Sequence, residues 1–101
     1  MKNVLLICTG GMTTGLLVLN MKKAATKIED ETFHIEAHNV SEIDSYAPQA
    51  DVIFVGPQVS YAVDTIKEKY PDKPVEVIEA KLFGMKKGEE LLDRAKELIG
   101  E

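Results

Sequence analysis

A single cysteine stands where an apolar segment gives way to a flexible, polar one. Residues 4–7 are Val-Leu-Leu-Ile, Cys8 follows, and residues 9–15 are Thr-Gly-Gly-Met-Thr-Thr-Gly. Glycines let successive backbone N–H groups turn toward one point, and threonine hydroxyls can donate further hydrogen bonds. A helix that begins just after such a loop adds partial positive charge. The pattern therefore predicts a cradle for a tetrahedral anion, formed by Thr9, Gly10, Gly11, Met12, Thr13, Thr14 and Gly15.

The same local field would favour the thiolate form of Cys8, which is the nucleophilic form of a cysteine. A thiolate in such a cradle could attack phosphorus, and the phosphoryl group it acquires would fit the same hydrogen-bond donors. A cysteine at the end of a buried strand can also be a small packing residue, so that interpretation stays open. The loop that follows Cys8 favours the catalytic interpretation.

Spacing excludes three common phosphate loops. A dinucleotide-binding loop would need glycine where Met12 stands, and a Walker A loop would need Lys and Ser/Thr where Leu16 and Leu17 stand. A cysteine-dependent phosphatase would need arginine at the position of Thr14. Residues 4–20 contain no Arg, Lys, Asp, Glu or His. Without an arginine and an acid, the loop could hold a phosphocysteine without hydrolysing it quickly, as a phosphoryl carrier must.

Four segments have the pattern of β-strands. Val4 to Ile7 and Val52 to Val55 are continuous apolar runs, typical of strands buried on both faces. Phe33 to Val40 alternates apolar and polar residues, which indicates an edge strand, and Val75 to Ile78 is the fourth. Helical segments lie between the strands. We therefore predict an α/β fold in one domain over residues 1–101: a four-stranded parallel sheet in the order 2-1-3-4 with helices on both faces, a flavodoxin-like sheet shortened by one strand.

Apolar residues at intervals of three and four mark the helices. The first helix is predicted to begin near Thr13, and the second to run from about Val59 to Tyr70, before Pro71. A helix of one or two turns is expected near residues 41–44. The segment that holds Gly84 and Gly88 is predicted as a loop. The apolar stripe of the first helix is Leu17, Met21, Ala24, Ala25 and Ile28, and that of the last is Leu91, Leu92, Ala95, Leu98 and Ile99.

Ligands of open parallel sheets bind beyond the carboxyl ends of the strands, where the strand order reverses. In the predicted order this point lies between strands 1 and 3, so the Cys8 loop should meet residues 56–58. Gln58 and Tyr61 would face this crevice as accessory or partner contacts, with capping and packing as the alternative.

His34, Glu36 and His38 share one face of strand 2 at alternate positions. Their spacing could bind a metal, but the chain offers no obvious fourth ligand. We expect this face to be a solvated edge that lies away from the crevice.

Composition limits the class of protein. A net charge of −5 argues against a general nucleic-acid-binding protein, which would normally be basic. The apolar run at residues 4–7 is too short for a secretion signal, and no run is long enough to span a membrane. One cysteine cannot form an internal disulfide, which is typical of cytoplasmic proteins. We therefore expect a cytoplasmic globular protein.

Three segments together resemble a known family. They are LLICTGGMTTGLLV at residues 5–18, EAHNVSEIDSYAPQADVIFVGPQVSY at 36–61 and KPVEVIEAKLFGMKKGEELL at 73–92. Their motifs are C-x-x-G-M, A-D-V-I-x-x-G-P-Q-V, and P-V-x-V-I with F-G-M-x-x-G. On these motifs, over essentially the full chain, the sequence resembles the enzyme IIB components of the bacterial phosphoenolpyruvate-dependent sugar phosphotransferase system, in the lactose, cellobiose and diacetylchitobiose branch.

The resemblance implies that Cys8 accepts a phosphoryl group from a phosphohistidine of the enzyme IIA partner. The phosphocysteine would then pass the group to a sugar, such as cellobiose, chitobiose or lactose, held by the membrane-embedded enzyme IIC partner. The protein would act as a phosphotransferase subunit, transiently at the inner face of the cell membrane and without inserting into it. The resemblance implies no metal or other cofactor, because backbone amides and hydroxyls take that role, and no nucleic-acid partner.

The chain departs from the common family pattern in two loops. The family favours Ser-Thr-Ser after Met12, whereas Thr13-Thr14-Gly15 stands here, so the third hydroxyl is absent. Phe83, a candidate accessory or partner contact, stands where the family often has tyrosine. Lys86 and Lys87 replace a methionine and an acidic or amide residue. These departures leave the carrier role in place and bear on the sugar and the matched partners.

Two other functions stay open on the residues alone. Cys8 could be the nucleophile of a phosphatase-like or arsenate-reductase-like enzyme, although the arginine and a second, resolving cysteine are absent. The loop could also belong to a regulatory module that holds phosphate without transferring it. A Cys8→Ser variant separates this regulatory module from the phosphoryl carrier, because anion binding should survive the change and thiol-dependent transfer should not.

Overall fold

A computed structural model of the chain describes residues 2–9, 12–27 and 33–100. Four parallel strands form one sheet in the order β2-β1-β3-β4, as the sequence predicts. The apolar strands β1 and β3 occupy the centre, and the amphipathic β2 lies at an edge. The strands are β1 (Lys2–Cys8), β2 (Phe33–Asn39), β3 (Val52–Val55) and β4 (Val75–Val77).

Five α-helices and three 3-10 turns connect and cover the strands within the described residues. The helices are α1 (Met12–Ala25), α2 (Ile43–Tyr46), α3 (Val63–Lys69), α4 (Ala80–Gly84) and α5 (Gly88–Ile99). The 3-10 turns are Val40–Glu42, Ala47–Gln49 and Pro57–Ala62. Helices α1, α4 and α5 pack on one face of the sheet, and α2 and α3 on the other.

The two faces of the central strands build two separate cores, because successive side chains of a strand point in opposite directions. Leu6 and Phe54 pack under α1 and α5. Ile7 and Val55 point to the opposite face, where they meet residues of α2 and α3. Burial on both faces explains why β1 and β3 read as continuous apolar runs.

The α-helix predicted from Val59 to Tyr70 is wrong over residues 59–62. A 3-10 turn covers Pro57–Ala62, and the backbone of Val59 (φ −120°, ψ 25°) is not helical. The Val59 side chain is nevertheless buried in the core, so packing overrides the helical pattern there. Helix α3 begins only at Val63 and ends at Lys69.

The loop predicted before the last helix contains α4, which the apolar pattern did not indicate. Phe83 of this short helix is buried among the residues of α1 and α5. Two strand ends differ from the prediction by one residue, since β2 ends at Asn39 and β4 ends before the buried Ile78. Strand β1 begins at Lys2, two residues before the predicted Val4. Ile28, the last member of the predicted stripe of α1, lies outside the described residues.

Helices α1 and α5 approach very closely where α5 begins. A Cβ atom added to Gly88 would lie 2.4 Å from the backbone nitrogen of Met21 and 2.6 Å from the carbonyl carbon of Asn20. Asn20 Nδ2 donates a hydrogen bond to the carbonyl oxygen of Lys86 (2.9 Å), a residue in the left-handed region at φ 55°. These contacts hold α1, which follows the cysteine loop, against the rest of the fold.

Candidate active site

Three strand ends converge on the cysteine. Cys8 is the last residue of β1 and pairs in register with Asn39, the last residue of β2. The preceding residue, Ile7, pairs with Val55 of β3, and the N–H of Gly56 donates to the Ile7 carbonyl at 2.7 Å. The thiol therefore lies at the carboxyl edge of the sheet, where parallel sheets bind their ligands.

Gly56 packs directly against Cys8. A Cβ atom on Gly56 would lie 3.3 Å from Cys8 Cβ and 3.2 Å from Gln58 Oε1. A side chain at this position would fit only if its neighbours moved by a few tenths of an ångström. The close approach also places Gln58 beside the cysteine, so the loops after β1 and β3 meet as predicted.

The other two accessory candidates lie in contrasting environments. Tyr61 is 78% exposed and is available to a partner. The Phe83 side chain is 5% exposed and packs in the core under α1 and α5, so the structure gives it a packing role.

The N-terminus of α1 follows the cysteine closely, because the helix begins at Met12. The N–H groups of a first helical turn have no partner within the helix, and no acidic residue in the first turn of α1 offsets their positive field. Gly15 lies in open space, where a Cβ atom would meet nothing within 4 Å. Of the other predicted cradle residues, Met12 and Thr9 are exposed and Thr13 is half-buried, and Gly10 and Gly11 lie outside the described residues.

Thr14 carries a polar atom that has no obvious structural use. The residue is 3% exposed, and within the described part of the chain its buried Oγ1 has no hydrogen-bond partner. Buried hydroxyls are normally hydrogen-bonded, because burying one without a partner costs about 1–3 kcal/mol. An unsatisfied donor in the first turn of α1 is suited to an oxygen of a bound anion.

A cleft of about 250 Å³ opens beside the thiol, on the side of β2. It is lined by Cys8, Thr9, Ala37, His38, Asn39 and Glu42. The expectation that strand 2 lies away from the site is therefore wrong. The alternating pattern of β2 correctly indicated an edge strand, but its last two residues reach the same sheet edge as Cys8. The predicted neighbours in the sheet order could have revealed this, since parallel neighbours end together.

His38 is held firmly at the rim of this cleft. Its ring stacks on Tyr46, with the ring centroids 3.5 Å apart and the planes 8° from parallel. Nδ1 lies 4.0 Å from Glu42 Oε1, which accepts a hydrogen bond from the N–H of Asn39 at 3.1 Å. Nε2 is buried without a hydrogen-bond partner in the described chain and lies 3.5 Å from Glu36 Oε2.

Glu36 connects the two histidines of β2. Its Oε1 lies 3.0 Å from Nε2 of His34, and the hydrogen bond from His34 lowers the pKa of Glu36, although partial desolvation opposes the shift. Over residues 2–9, 12–27 and 33–100, no group of three or more His, Cys, Asp or Glu side chains is arranged to hold a metal ion. The structure therefore gives no support to the metal alternative for this strand face.

Comparison with known proteins decides the family. The family model described as "PTS system, Lactose/Cellobiose specific IIB subunit" matches residues 3–94. The chain belongs to this family. This IIB subunit is therefore a phosphotransferase component that acts in sugar uptake, as the resemblance implied. No helix in the described part of the chain is long and apolar enough to cross a membrane.

The related proteins are named after several different sugars. The IIB subunit is 32% identical over 105 residues to the galactose-specific EIIB component of Lactococcus lactis subsp. cremoris, covering 97% of this chain and 96% of the relative. It is 32% identical to the cellobiose-specific EIIB component of Lactococcus lactis subsp. lactis, with the same coverage. It is 33% identical to the oligo-beta-mannoside-specific EIIB component of Bacillus subtilis, covering 98% and 97% of the two chains.

Solved structures share the fold. The cellobiose-specific IIB component of Borrelia burgdorferi superposes with a TM-score of 0.80 at 28% identity, covering 97% of this chain and 91% of that one. The lactose-specific IIB domain of Streptococcus pneumoniae superposes with a TM-score of 0.79 at 16% identity, covering 96% of each chain. These likenesses confirm the predicted four-stranded α/β fold.

Proposed function

We propose that this IIB subunit carries a phosphoryl group on Cys8, between a phosphohistidine of enzyme IIA and a sugar bound by the membrane enzyme IIC. One observation carries the proposal: the thiol lies where three strand ends meet, just before the N-terminus of α1. No ionisable side chain other than Cys8 itself occurs in residues 4–20. Helix N–H groups and the unpartnered Thr14 hydroxyl are then the available donors for a phosphoryl group.

Two in-line displacements complete the proposed cycle. In the first, the Cys8 thiolate forms the S–P bond while the N–P bond of phosphohistidine breaks, and the electron pair returns to the ring nitrogen of the donor. In the second, a hydroxyl oxygen of the sugar forms the O–P bond, the S–P bond breaks, and the thiolate is restored. The hydroxyl proton leaves to a base. Neither step requires a metal or another cofactor on this subunit.

Residues 9–15 form the proposed cradle, and α1 gives it orientation. The first-turn N–H groups of α1 can bind phosphoryl oxygens, and Thr14 Oγ1 can donate to one of them. No arginine is positioned in this segment to stabilise attack by water, so the phosphocysteine should persist long enough to meet the second partner. This property distinguishes a carrier from a phosphatase.

The docking surface for the two partners should surround the thiol. Met12 is 84% exposed at the start of α1, and Tyr61 is 78% exposed beyond β3. Large side chains of these types are favoured at interfaces, and methionine adapts to more than one surface. We assign both, with Gln58, to contacts with enzyme IIA or enzyme IIC.

The acceptor is proposed to be a β-linked disaccharide of the cellobiose, chitobiose or lactose type. Two of the relatives are named for the β-linked sugars cellobiose and oligo-beta-mannoside and one for galactose, so the names support a β-linked sugar without selecting one member of that class. The chain would act as one domain over residues 1–101 in the cytoplasm, transiently at the inner face of the membrane.

The proposal is tested by measuring intact-protein mass after incubation with phosphoenolpyruvate, the general phosphotransferase enzymes and a matched enzyme IIA. We expect one added phosphoryl group that is stable for minutes and is absent without enzyme IIA or in Cys8→Ser. No added group with several enzyme IIA partners, combined with turnover of an aryl phosphate, would overturn the carrier function and favour a cysteine phosphatase.

A further inference from the structure

The first helix carries apolar side chains on the side that points away from the core. Met12, Leu16 and Leu19 follow one another at intervals of four and three residues, so they lie along one side of α1. They are 84%, 40% and 45% exposed. Leu17 and Met21 hold the opposite side of the helix in the core. A helix segment that is apolar on both sides is normally covered on both, so another molecule is expected to cover the outer side.

Gly15 lies among these exposed residues, and nothing within the described chain requires a glycine there. It is an interior residue of α1, where glycine is less favourable than alanine. Its backbone does not adopt the left-handed region that favours glycine, and an added Cβ atom would meet nothing within 4 Å. The glycine therefore weakens the helix without serving its conformation or its packing. A molecule that approaches α1 closely from outside would give the missing side chain a use.

The four residues together form a hole of a familiar shape. Met12, Gly15, Leu16 and Leu19 occupy positions i, i+3, i+4 and i+7 of α1, and these are the four positions that receive a side chain from a neighbouring helix in knobs-into-holes packing. Because Gly15 lacks a side chain, this hole is open on one side and can take a large apolar group. We call these four residues the outer face of α1.

We propose that the outer face of α1 receives a large apolar side chain from a helix of enzyme IIA, and that Gly15 makes the space for it. Gly15 would then be a specificity-determining residue, since it selects an enzyme IIA whose helix carries a side chain of the right size. The inference rests on the proposed function, because it requires that enzyme IIA donate the phosphoryl group to Cys8.

The position of the outer face favours enzyme IIA over enzyme IIC. The face begins at Met12, just after the loop that follows Cys8, so a donor whose phosphohistidine reaches the thiol also reaches this face. Since α1 returns the chain from the carboxyl edge of the sheet, the face extends about 10 Å down the side of the domain to Leu19. A donor protein can stand beside the domain, whereas a sugar in the membrane must meet the carboxyl edge itself. The exposed Lys22 and Lys23 follow Leu19, so acidic residues are expected further along the donor helix.

The first experiment measures initial rates of phosphoryl transfer to the full-length IIB subunit over a range of concentrations of phosphorylated enzyme IIA, using an enzyme IIA that phosphorylates the wild type. G15A places a methyl group in the hole, so we expect the KM for enzyme IIA to rise about tenfold. L19S removes one wall of the hole and should raise the same KM severalfold. G84A is the matched control, because it adds the same methyl group to another open helix position, and it should follow wild type.

Thermal stability separates this role from a structural one. Alanine is favoured over glycine inside a helix, so G15A should raise the Tm by about 2–6 °C while it weakens the use of enzyme IIA. An unchanged KM in both G15A and L19S would overturn the inference. A G15A protein that loses its phosphoryl group faster at an unchanged KM would also overturn it, because Gly15 would then serve the phosphate cradle alone.

The other possible occupants of the outer face are tested with L19S. Normal use of enzyme IIA combined with slower transfer to sugar in membranes that contain enzyme IIC would assign the face to enzyme IIC and overturn the inference. Self-association of the wild type that L19S abolishes, measured by sedimentation at an unchanged KM for enzyme IIA, would assign the face to a second copy of the chain and overturn it as well.

A last measurement needs no variant and therefore cannot fail through misfolding. The methyl signals of the wild type are followed by NMR while unphosphorylated enzyme IIA is added. We expect the signals of Leu16 and Leu19 to shift and those of the buried Leu91 and Leu92 to stay nearly unchanged. Signals of Leu16 and Leu19 that do not move would overturn the inference and leave the carrier function intact. A wild type that accepts no phosphoryl group from any enzyme IIA would overturn both.

Discussion

Among the glycines that the structure describes, Gly88 is the one where an added methyl group would clash most severely with its neighbours. A Cβ atom there would stand 2.4 Å from the Met21 nitrogen and 2.7 Å from Asn20 Cβ, whereas ordinary contacts of a Cβ atom begin at 3.4 Å. The nearest neighbour is backbone, so no flexible side chain can move aside. Gly88→Ala must therefore push α5 away from α1 by about 1 Å, as judged from overpacked cores.

The expected loss of stability can be estimated from opposing effects. Overpacking of a well-packed core costs about 1–3 kcal/mol, and loosening of the Asn20 to Lys86 hydrogen bond adds to it. Alanine gains at most about 1 kcal/mol over glycine in a helix interior, and less at the first residue of α5. The clash should prevail by about 2 kcal/mol, which lowers the Tm of a domain of this size by about 8–16 °C.

Gly84→Ala is the matched control, because a Cβ atom at Gly84 meets nothing within 4 Å. Both variants and the wild type are compared by thermal and urea denaturation. Gly84→Ala should melt within a few degrees of wild type or slightly above it. If Gly88→Ala melted together with Gly84→Ala, the close packing of α1 on α5 would be refuted.

Three further results are expected near and away from the site. Gly56→Ala would place a Cβ atom 3.3 Å from Cys8 Cβ, so phosphorylation in the presence of enzyme IIA should slow severalfold, with a small change in Tm; unchanged phosphorylation kinetics would contradict the packing argument. Thr14→Val removes a buried hydroxyl without a described partner, so the unphosphorylated protein should keep its stability. The equilibrium of phosphoryl exchange with enzyme IIA should shift away from the phosphocysteine, and an unchanged equilibrium would exclude the Thr14 contact. Tyr70→Phe removes the hydrogen bond that chiefly lowers the pKa of Asp44, so NMR should show that pKa rising toward 3.8. Because folding lowers the pKa of Asp44, its contribution to the free energy of unfolding is complete above pH 3.8 and is lost as the pH falls through the folded-state pKa. The difference in stability between Tyr70→Phe and wild type should therefore narrow at acidic pH. A difference that is constant with pH would contradict this argument.

The topology was predictable because each strand has its own pattern. Continuous apolar runs at residues 4–7 and 52–55 can be satisfied only in the middle of a covered sheet, and alternation at 33–39 is tolerated at an edge. Short helices were harder to predict from the sequence. The five residues of α4 hold too few turns for a periodic signal, and packing of Phe83 stabilises them instead. The same competition put a non-helical residue at Val59 inside an apolar helical pattern.

The candidate site also has one part that the sequence reveals and one part that depends on the fold. Cys8 and the glycine and threonine residues after it are one continuous segment, so their chemistry is visible in the sequence. The rest of the cleft lining is more than 25 positions further along the chain, at His38, Asn39 and Glu42. These residues lie near Cys8 only because β2 pairs with β1. The rule that places ligands where strand order reverses directs attention to β3 and away from β2. The pairing of Cys8 with Asn39 shows that the end of β2 also borders the site.

A phosphoryl carrier faces an energetic constraint that bears on this arrangement. A fixed arginine would stabilise the phosphocysteine, but it would equally stabilise attack by water and would hold the group against transfer to the acceptor. Helix N–H groups and a threonine hydroxyl are neutral donors, so they bind the dianion less strongly. A site built from such donors would therefore hold the group between partners and still release it to the sugar.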